Sequence, residues 1–127
     1  MDLARRRAGI VSQHRQLDVF VGEVSDALRR DRQRDCETAV YQLGGALNAH
    51  IAVEEGVIYP ALLGLRPELS DWVEKSEREH EELRQRLDRL SSAVIASDLS
   101  TARLIYEKFE ASLRAHELIE ERVLRNA

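Results

Sequence analysis

Two segments of the sequence combine histidine and glutamate at helical spacing. "HIAVEE" begins at His50 and "HELIEE" begins at His116, and each carries a glutamate four residues after its histidine. These glutamates are Glu54 and Glu120. Residues four apart in an α-helix lie about 40° apart around the axis, on nearly the same face. Each segment therefore predicts an imidazole nitrogen and a carboxylate that project side by side, as a pair of metal ligands would.

An internal repeat connects these segments to two further histidines. A shift of 66 residues, which is the separation of His50 and His116, superimposes the two halves of the chain. Leucines and valines match under this shift, as any two helical sequences might. Matching histidines and glutamates need another explanation, and they predict two helical hairpins related by a pseudo-twofold axis. The matched polar residues are His14 with His80, His50 with His116, and Glu54 with Glu120.

Apolar residues recur at helical spacing through most of the chain and predict four helices. The first begins near Leu3 and ends at Arg30, and the polar or turn-forming stretches 30–35, 64–67 and 97–100 separate the helices. Asp35 is the predicted N-cap of the second helix. Short loops between four helices indicate an all-α, up-down-up-down four-helix bundle, with 1–127 as a single domain. The predicted inward stripe of the fourth helix comprises Ile105, Phe109, Leu113, Leu118 and Val123.

Each predicted helix carries one of the 4 histidines. Similar numbers of residues separate successive histidines across each loop, so all four should lie at one level of the bundle. Each interrupts an apolar stripe and should therefore point inward. A single inward histidine is more often a core residue with a hydrogen-bond partner than a ligand. Four at one level would all need partners away from water, and a bound metal satisfies them together.

The predicted ligand set also limits the choice of metal. Four imidazoles and two carboxylates without a thiolate favour a pair of iron or manganese ions over a structural zinc ion. Two octahedral ions offer about twelve positions, of which two bridging carboxylates, four imidazoles and a bridging oxide or hydroxide fill roughly ten. The remaining positions are open to O2, peroxide, NO or water. Manganese or zinc is expected to be able to occupy the site in vitro.

The combined histidine and glutamate pattern resembles that of the hemerythrin-like, or HHE cation-binding, family. The resemblance covers essentially the whole chain, and "HIAVEEGVIYPAL" (50–62) is especially similar to the second helix of the family. It implies a non-haem di-iron centre in which both glutamates bridge the ions. The ligands would be His14 and His50 on one iron, His80 and His116 on the other, and Glu54 and Glu120 between them.

The chain departs from the oxygen-carrying hemerythrins on its third helix. Those proteins have a second histidine four residues from the first, whereas here the corresponding residues are Ser76 and Arg84. One iron would lack its third nitrogen ligand, which argues against simple reversible O2 carriage. Glu77, one turn before His80, is a candidate replacement. It could equally be a solvated charge in the run "EKSEREHEE".

Other polar residues near the predicted site are expected to play no part in it. Glu55, Glu81 and Glu121 fall away from the inward faces and are expected to be solvated. Tyr59 and Tyr106 could line or ligate the site, but packing with the hydroxyl near the surface is the favoured interpretation for both. A ferritin-like centre is disfavoured because it needs two Glu-x-x-His motifs, and only Glu77 to His80 matches.

Several functions fit these residues. The first hypothesis is a di-iron protein that binds O2, peroxide or NO. The second is a di-iron redox enzyme, such as a peroxide-decomposing, catalase-like protein. The third is a free-standing iron or oxygen sensor, which would need a separate partner. An inert helical interaction module is the remaining alternative.

Composition excludes other classes of partner. The net charge is −4 and the charged residues are interspersed, so no nucleic-acid surface is expected. The single cysteine, Cys36, fits a reducing compartment, and neither a membrane span nor a signal peptide is evident. We expect a soluble cytoplasmic protein, either a monomer or a homodimer.

Overall fold

Four long helices form the molecule, and the computed structural model describes residues 3–127. Each bundle helix packs against two neighbours, because α1 contacts α2 and α5, and α4 contacts the same two helices. No strand occurs within the described residues, so the predicted all-α four-helix bundle is confirmed. The elements are α1 (Leu3–Arg29), α2 (Gln33–Val53), a π-helical turn (Glu54–Ile58), α3 (Tyr59–Leu65), a 3-10 turn (Pro67–Leu69), α4 (Ser70–Ile95) and α5 (Leu99–Asn126).

The second bundle helix is composite, because α2, the π-helical turn and α3 follow one another without a break. Its predicted N-cap is wrong. Arg32 occupies the cap position without a side-chain hydrogen bond, and Asp35 lies within the first turn. A negative charge there is still stabilised by the positive end of the helix dipole.

Asp98 caps α5, since its carboxylate accepts a hydrogen bond of 3.2 Å from the backbone N–H of Thr101.

Two apolar clusters fill the core, on either side of the level at which the histidines lie. On α1, Ile10 belongs to the smaller cluster and Leu17 to the larger, and His14 lies between them in sequence. On α5, Leu113 and Leu124 flank His116 in the same way. The core is therefore interrupted by one polar layer, which contains residues from every bundle helix.

The inward face of α5 differs from the prediction at one position. Phe109 and Leu113 are buried as expected, but Leu118 is 63% exposed. It lies two residues beyond His116, which is about 200° around the helix, on the opposite side.

No helix within residues 3–127 has the length and apolar character needed to cross a membrane.

Candidate metal centre

Six buried side chains meet in the polar layer of the bundle. They form two groups of four, and within each group the potential ligand atoms all lie within 4.8 Å of one another. Every one of the six is at most 6% exposed. Glu54 and Glu120 belong to both groups, so the carboxylates stand between two pairs of imidazoles. The groups are His14, His50, Glu54 and Glu120, and Glu54, His80, His116 and Glu120.

The Nε2 atoms of the histidines face the two carboxylates. His50 Nε2 and His80 Nε2 lie 3.0 and 3.1 Å from Glu54 Oε1. His14 Nε2 lies 2.9 Å from Glu120 Oε1, and His116 Nε2 lies 3.6 Å from Glu120 Oε2. The i to i+4 spacing places His50 beside Glu54 and His116 beside Glu120, while α1 and α4 each add one imidazole. The repeat thus builds the same half-site twice.

The Nδ1 atoms point outward, and each has a partner on a neighbouring helix. A carboxylate or amide oxygen accepts a hydrogen bond from Nδ1–H in all four cases, so a metal ion that displaces the protons shared at Nε2 would bind there. These partners hold the rings in position. The pairs are His14 with Glu121 at 2.6 Å, His50 with Gln13 at 2.7 Å, His80 with Glu55 at 2.7 Å, and His116 with Glu79 at 2.8 Å.

The expectation that Glu55 and Glu121 are solvated is therefore wrong. Their side chains are about one-third exposed, but their carboxylates accept the hydrogen bonds from His80 and His14. The sequence contained a signal for these residues, because Glu55 and Glu121 also match under the 66-residue shift. Glu81, by contrast, is exposed as predicted.

Tyr59 was expected to place its hydroxyl near the surface, and this is also wrong. The residue is 1% exposed, and its hydroxyl donates a hydrogen bond of 2.5 Å to Glu120 Oε2. Ser76 Oγ lies 2.5 Å from the same hydroxyl and donates to it, and His80 Nε2 lies 3.4 Å away. A phenol and a serine thus occupy the region where a fifth histidine would stand.

The π-helical turn explains how Tyr59 reaches the site. Five residues along an α-helix correspond to about 140° around the axis, which would turn Tyr59 away from Glu54. In the π-helical turn the backbone N–H of Tyr59 bonds instead to the carbonyl oxygen of Glu54, five residues earlier. The wider turn brings both side chains to the same side of the helix. Isolated π-helical turns occur frequently at functional sites.

The remaining candidates lie outside the cluster. Glu77 is exposed to solvent and belongs to neither four-residue group. Tyr106 is buried in the larger apolar cluster, and its hydroxyl donates to Glu110 at 2.5 Å. Ser76, four residues before His80, takes the inward position that Glu77 lacks.

The electrostatics of the cluster favour a bound cation. Burial and the neighbouring Glu120 raise the pKa of Glu54, whereas close contacts with Glu54, His116 and His14 overcome the effect of burial and hold the pKa of Glu120 well below its usual range. Burial also lowers the pKa of His50 to about 4. His50 Nε2 and both carboxylate oxygens of Glu54 are buried without any hydrogen-bond partner. Unsatisfied buried groups are costly, and a metal ion would satisfy all three atoms.

A four-helix bundle with a buried histidine and glutamate cluster of this kind is compatible with metal binding. The sequence pattern of the hemerythrin HHE cation-binding domain matches residues 7–126, and the chain belongs to this family. No curated protein and no solved structure matches the chain significantly.

Removal of the Tyr59 hydroxyl tests its position in the site. Tyr59→Phe leaves Ser76 and Glu120 each short of a hydrogen bond in a dry environment, so the free energy of unfolding of the metal-free protein should fall by about 1–3 kcal/mol. Urea unfolding followed by circular dichroism measures the change. Tyr41→Phe is the matched control, because Tyr41 is 84% exposed. Equal stability of the two variants would contradict the buried position of the phenol.

Proposed function

We propose that this chain is a non-haem di-iron protein that binds O2, or a related small ligand such as peroxide or NO, at a carboxylate-bridged centre in the bundle core. The observation that carries the proposal is the sharing of Glu54 and Glu120 by both four-residue groups. Two carboxylates common to two pairs of imidazoles are suited to bridge two ions. His14 and His50 would hold one ion, and His80 and His116 the other.

The donor set supports iron in particular. Neutral imidazoles with carboxylates suit iron or manganese, and the one thiol of the chain, Cys36, lies in the larger apolar cluster rather than at the site. Manganese and zinc remain competitors in vitro. When bound, a pair of iron ions supplies electrons and open coordination positions for a small ligand.

The protein's own residues would control access and orientation. The outer hydrogen bonds fix the tautomer of each imidazole, and the inner carboxylates balance part of the charge of the ions. Large apolar side chains around the ligands keep the site dry and restrict it to small molecules. These buried residues are Leu17, Leu47, Leu83, Phe109 and Leu113.

A second candidate function, breakdown of peroxide by a di-iron redox enzyme, is favoured by Tyr59. Burial raises the pKa of its phenol, so that the hydroxyl stays protonated at neutral pH. A protonated hydroxyl 2.5 Å from Glu120 and 3.4 Å from His80 Nε2 is positioned to donate a hydrogen bond to a ligand in the site. Such a donor stabilises the negative charge that develops on oxygen when an O–O bond breaks.

Substitution of one histidine tests the metal centre. His50→Ala removes a nitrogen from one half, and since bound metal stabilises the folded state by mass action, iron content and melting temperature should fall together. Metal analysis after anaerobic loading with ferrous iron, followed by calorimetry, measures both. Gln42→Ala, an exposed position on α2, is the control. Unchanged iron content in His50→Ala would contradict the proposed metal centre.

Absorption spectroscopy separates the two functions. A charge-transfer band that appears with O2 and disappears when O2 is removed is expected of a binding protein. Evolution of O2 from added peroxide, reduced in Tyr59→Phe but retained in Tyr41→Phe, is expected of the enzyme. An iron-loaded protein whose spectrum changes with neither O2, peroxide nor NO would contradict both.

A further inference from the structure

The outer hydrogen bonds of the cluster obey the 66-residue repeat with one exception. Glu121 on His14 corresponds to Glu55 on His80, and both are carboxylates. The partner of His50 is Gln13, however, whereas the partner of His116 is Glu79. The half built on His80 and His116 therefore has two outer carboxylates, and the other half has one carboxylate and one amide.

Two surface depressions differ in their number of carboxylates in the same way. Each measures about 190 Å³, one is lined by His50 and the other by His116, and apart from Phe20 in the first their linings correspond under the same shift. Gln13 and Gln16 line the first depression, where Glu79 and Glu82 line the second. The depression beside His116 therefore carries two carboxylates that the depression beside His50 lacks. A cluster of negative charge raises the local concentration of cations and the rate at which they arrive.

The outer partner also changes the strength of the inner ligand. An imidazole whose Nδ1–H donates to a carboxylate is a more basic ligand at Nε2 than one that donates to a neutral amide. The carboxylate additionally places a negative charge close to the ion. Both effects act on His116 through Glu79, and neither acts on His50 through Gln13.

We propose that Glu79 makes the two halves unequal, so that the first divalent ion binds at His80 and His116 and the second at His14 and His50. The inference rests on the proposed function only in that the cluster must hold two ions. Glu79 is a positioning residue, because it acts through His116 and lies outside the group of direct ligands. The Tyr59 hydroxyl lies near His80 and could also make the two halves unequal. The test therefore keeps Tyr59 and compares chains that differ only at residues 13 and 79.

Zinc titration of the metal-free chain tests the order of filling. Zinc is redox-silent, and nitrogen-15 labelling of histidine reports which ring nitrogens bind it. In the native chain, one equivalent should shift the Nε2 signals of His80 and His116 first. Glu79→Gln should weaken the first binding step by about 10–100-fold in calorimetry with a competing chelator. The double exchange Gln13→Glu with Glu79→Gln should reverse the order of filling.

Glu82→Gln is the matched control for charge alone. Glu82 lines the same depression but is exposed, and the hydrogen bond from His116 Nδ1 goes to Glu79, so loss of Glu82 should slow zinc association at low salt with little change in affinity. Equal weakening by Glu79→Gln and Glu82→Gln would overturn the inference. Simultaneous shifts of all four histidines at one equivalent, or early shifts of His14 and His50, would overturn it as well while leaving a two-ion centre intact. A chain that binds no zinc at its histidines would contradict both the two-ion centre and the proposed order of filling.

Discussion

The burial of Glu54 and Glu120 in one layer is the constraint on which the rest of the structure depends. Both side chains are completely inaccessible to solvent. Transfer of an ionised carboxylate out of water costs several kcal/mol even after the protein relaxes, and this cost, together with repulsion from Glu120, raises the pKa of Glu54. Imidazoles, a phenol and a serine compensate part of this cost. They leave both oxygens of Glu54 without a hydrogen bond. The apolar clusters on either side are packed around a polar layer that is compatible with a bound cation.

The two halves of the polar layer have matching histidines and glutamates. They differ because a π-helical turn follows Glu54 but not Glu120. Under the repeat, Ile58 corresponds to Leu124, and both are buried. Tyr59 corresponds to Arg125, and only Tyr59 is buried. The wider turn after Glu54 thus adds one inward side chain that the regular α-helix after Glu120 does not have. The π-helical turn therefore places the Tyr59 hydroxyl on one side of a polar layer that is otherwise duplicated.

The fold and the six inner residues could be predicted from sequence because both depend on regular periodicity. Helical spacing sets the faces of each helix, and the repeat identifies the histidines that share a level. Tyr59 could not be predicted in this way, since its position depends on a π-helical turn that departs from the α-helical count. Glu55 and Glu121 were missed for a different reason. Each lies beside an inner glutamate on its own helix, but its carboxylate reaches a histidine on the neighbouring helix, and a single helical face does not reveal such contacts.

The outer hydrogen bonds join the four bundle helices into a closed ring. Each helix places two adjacent residues at the site, one facing the centre and one bonded to the histidine of the next helix. The outer bonds run from α5 to α1, from α1 to α2, from the π-helical turn to α4, and from α4 back to α5. Rotation of any one helix would disturb its inner ligand and also the ring that its outer residue holds on the neighbour. The geometry of the centre is consequently fixed by the packing of the whole bundle, and an ion bound at the centre would stabilise all four helix interfaces together.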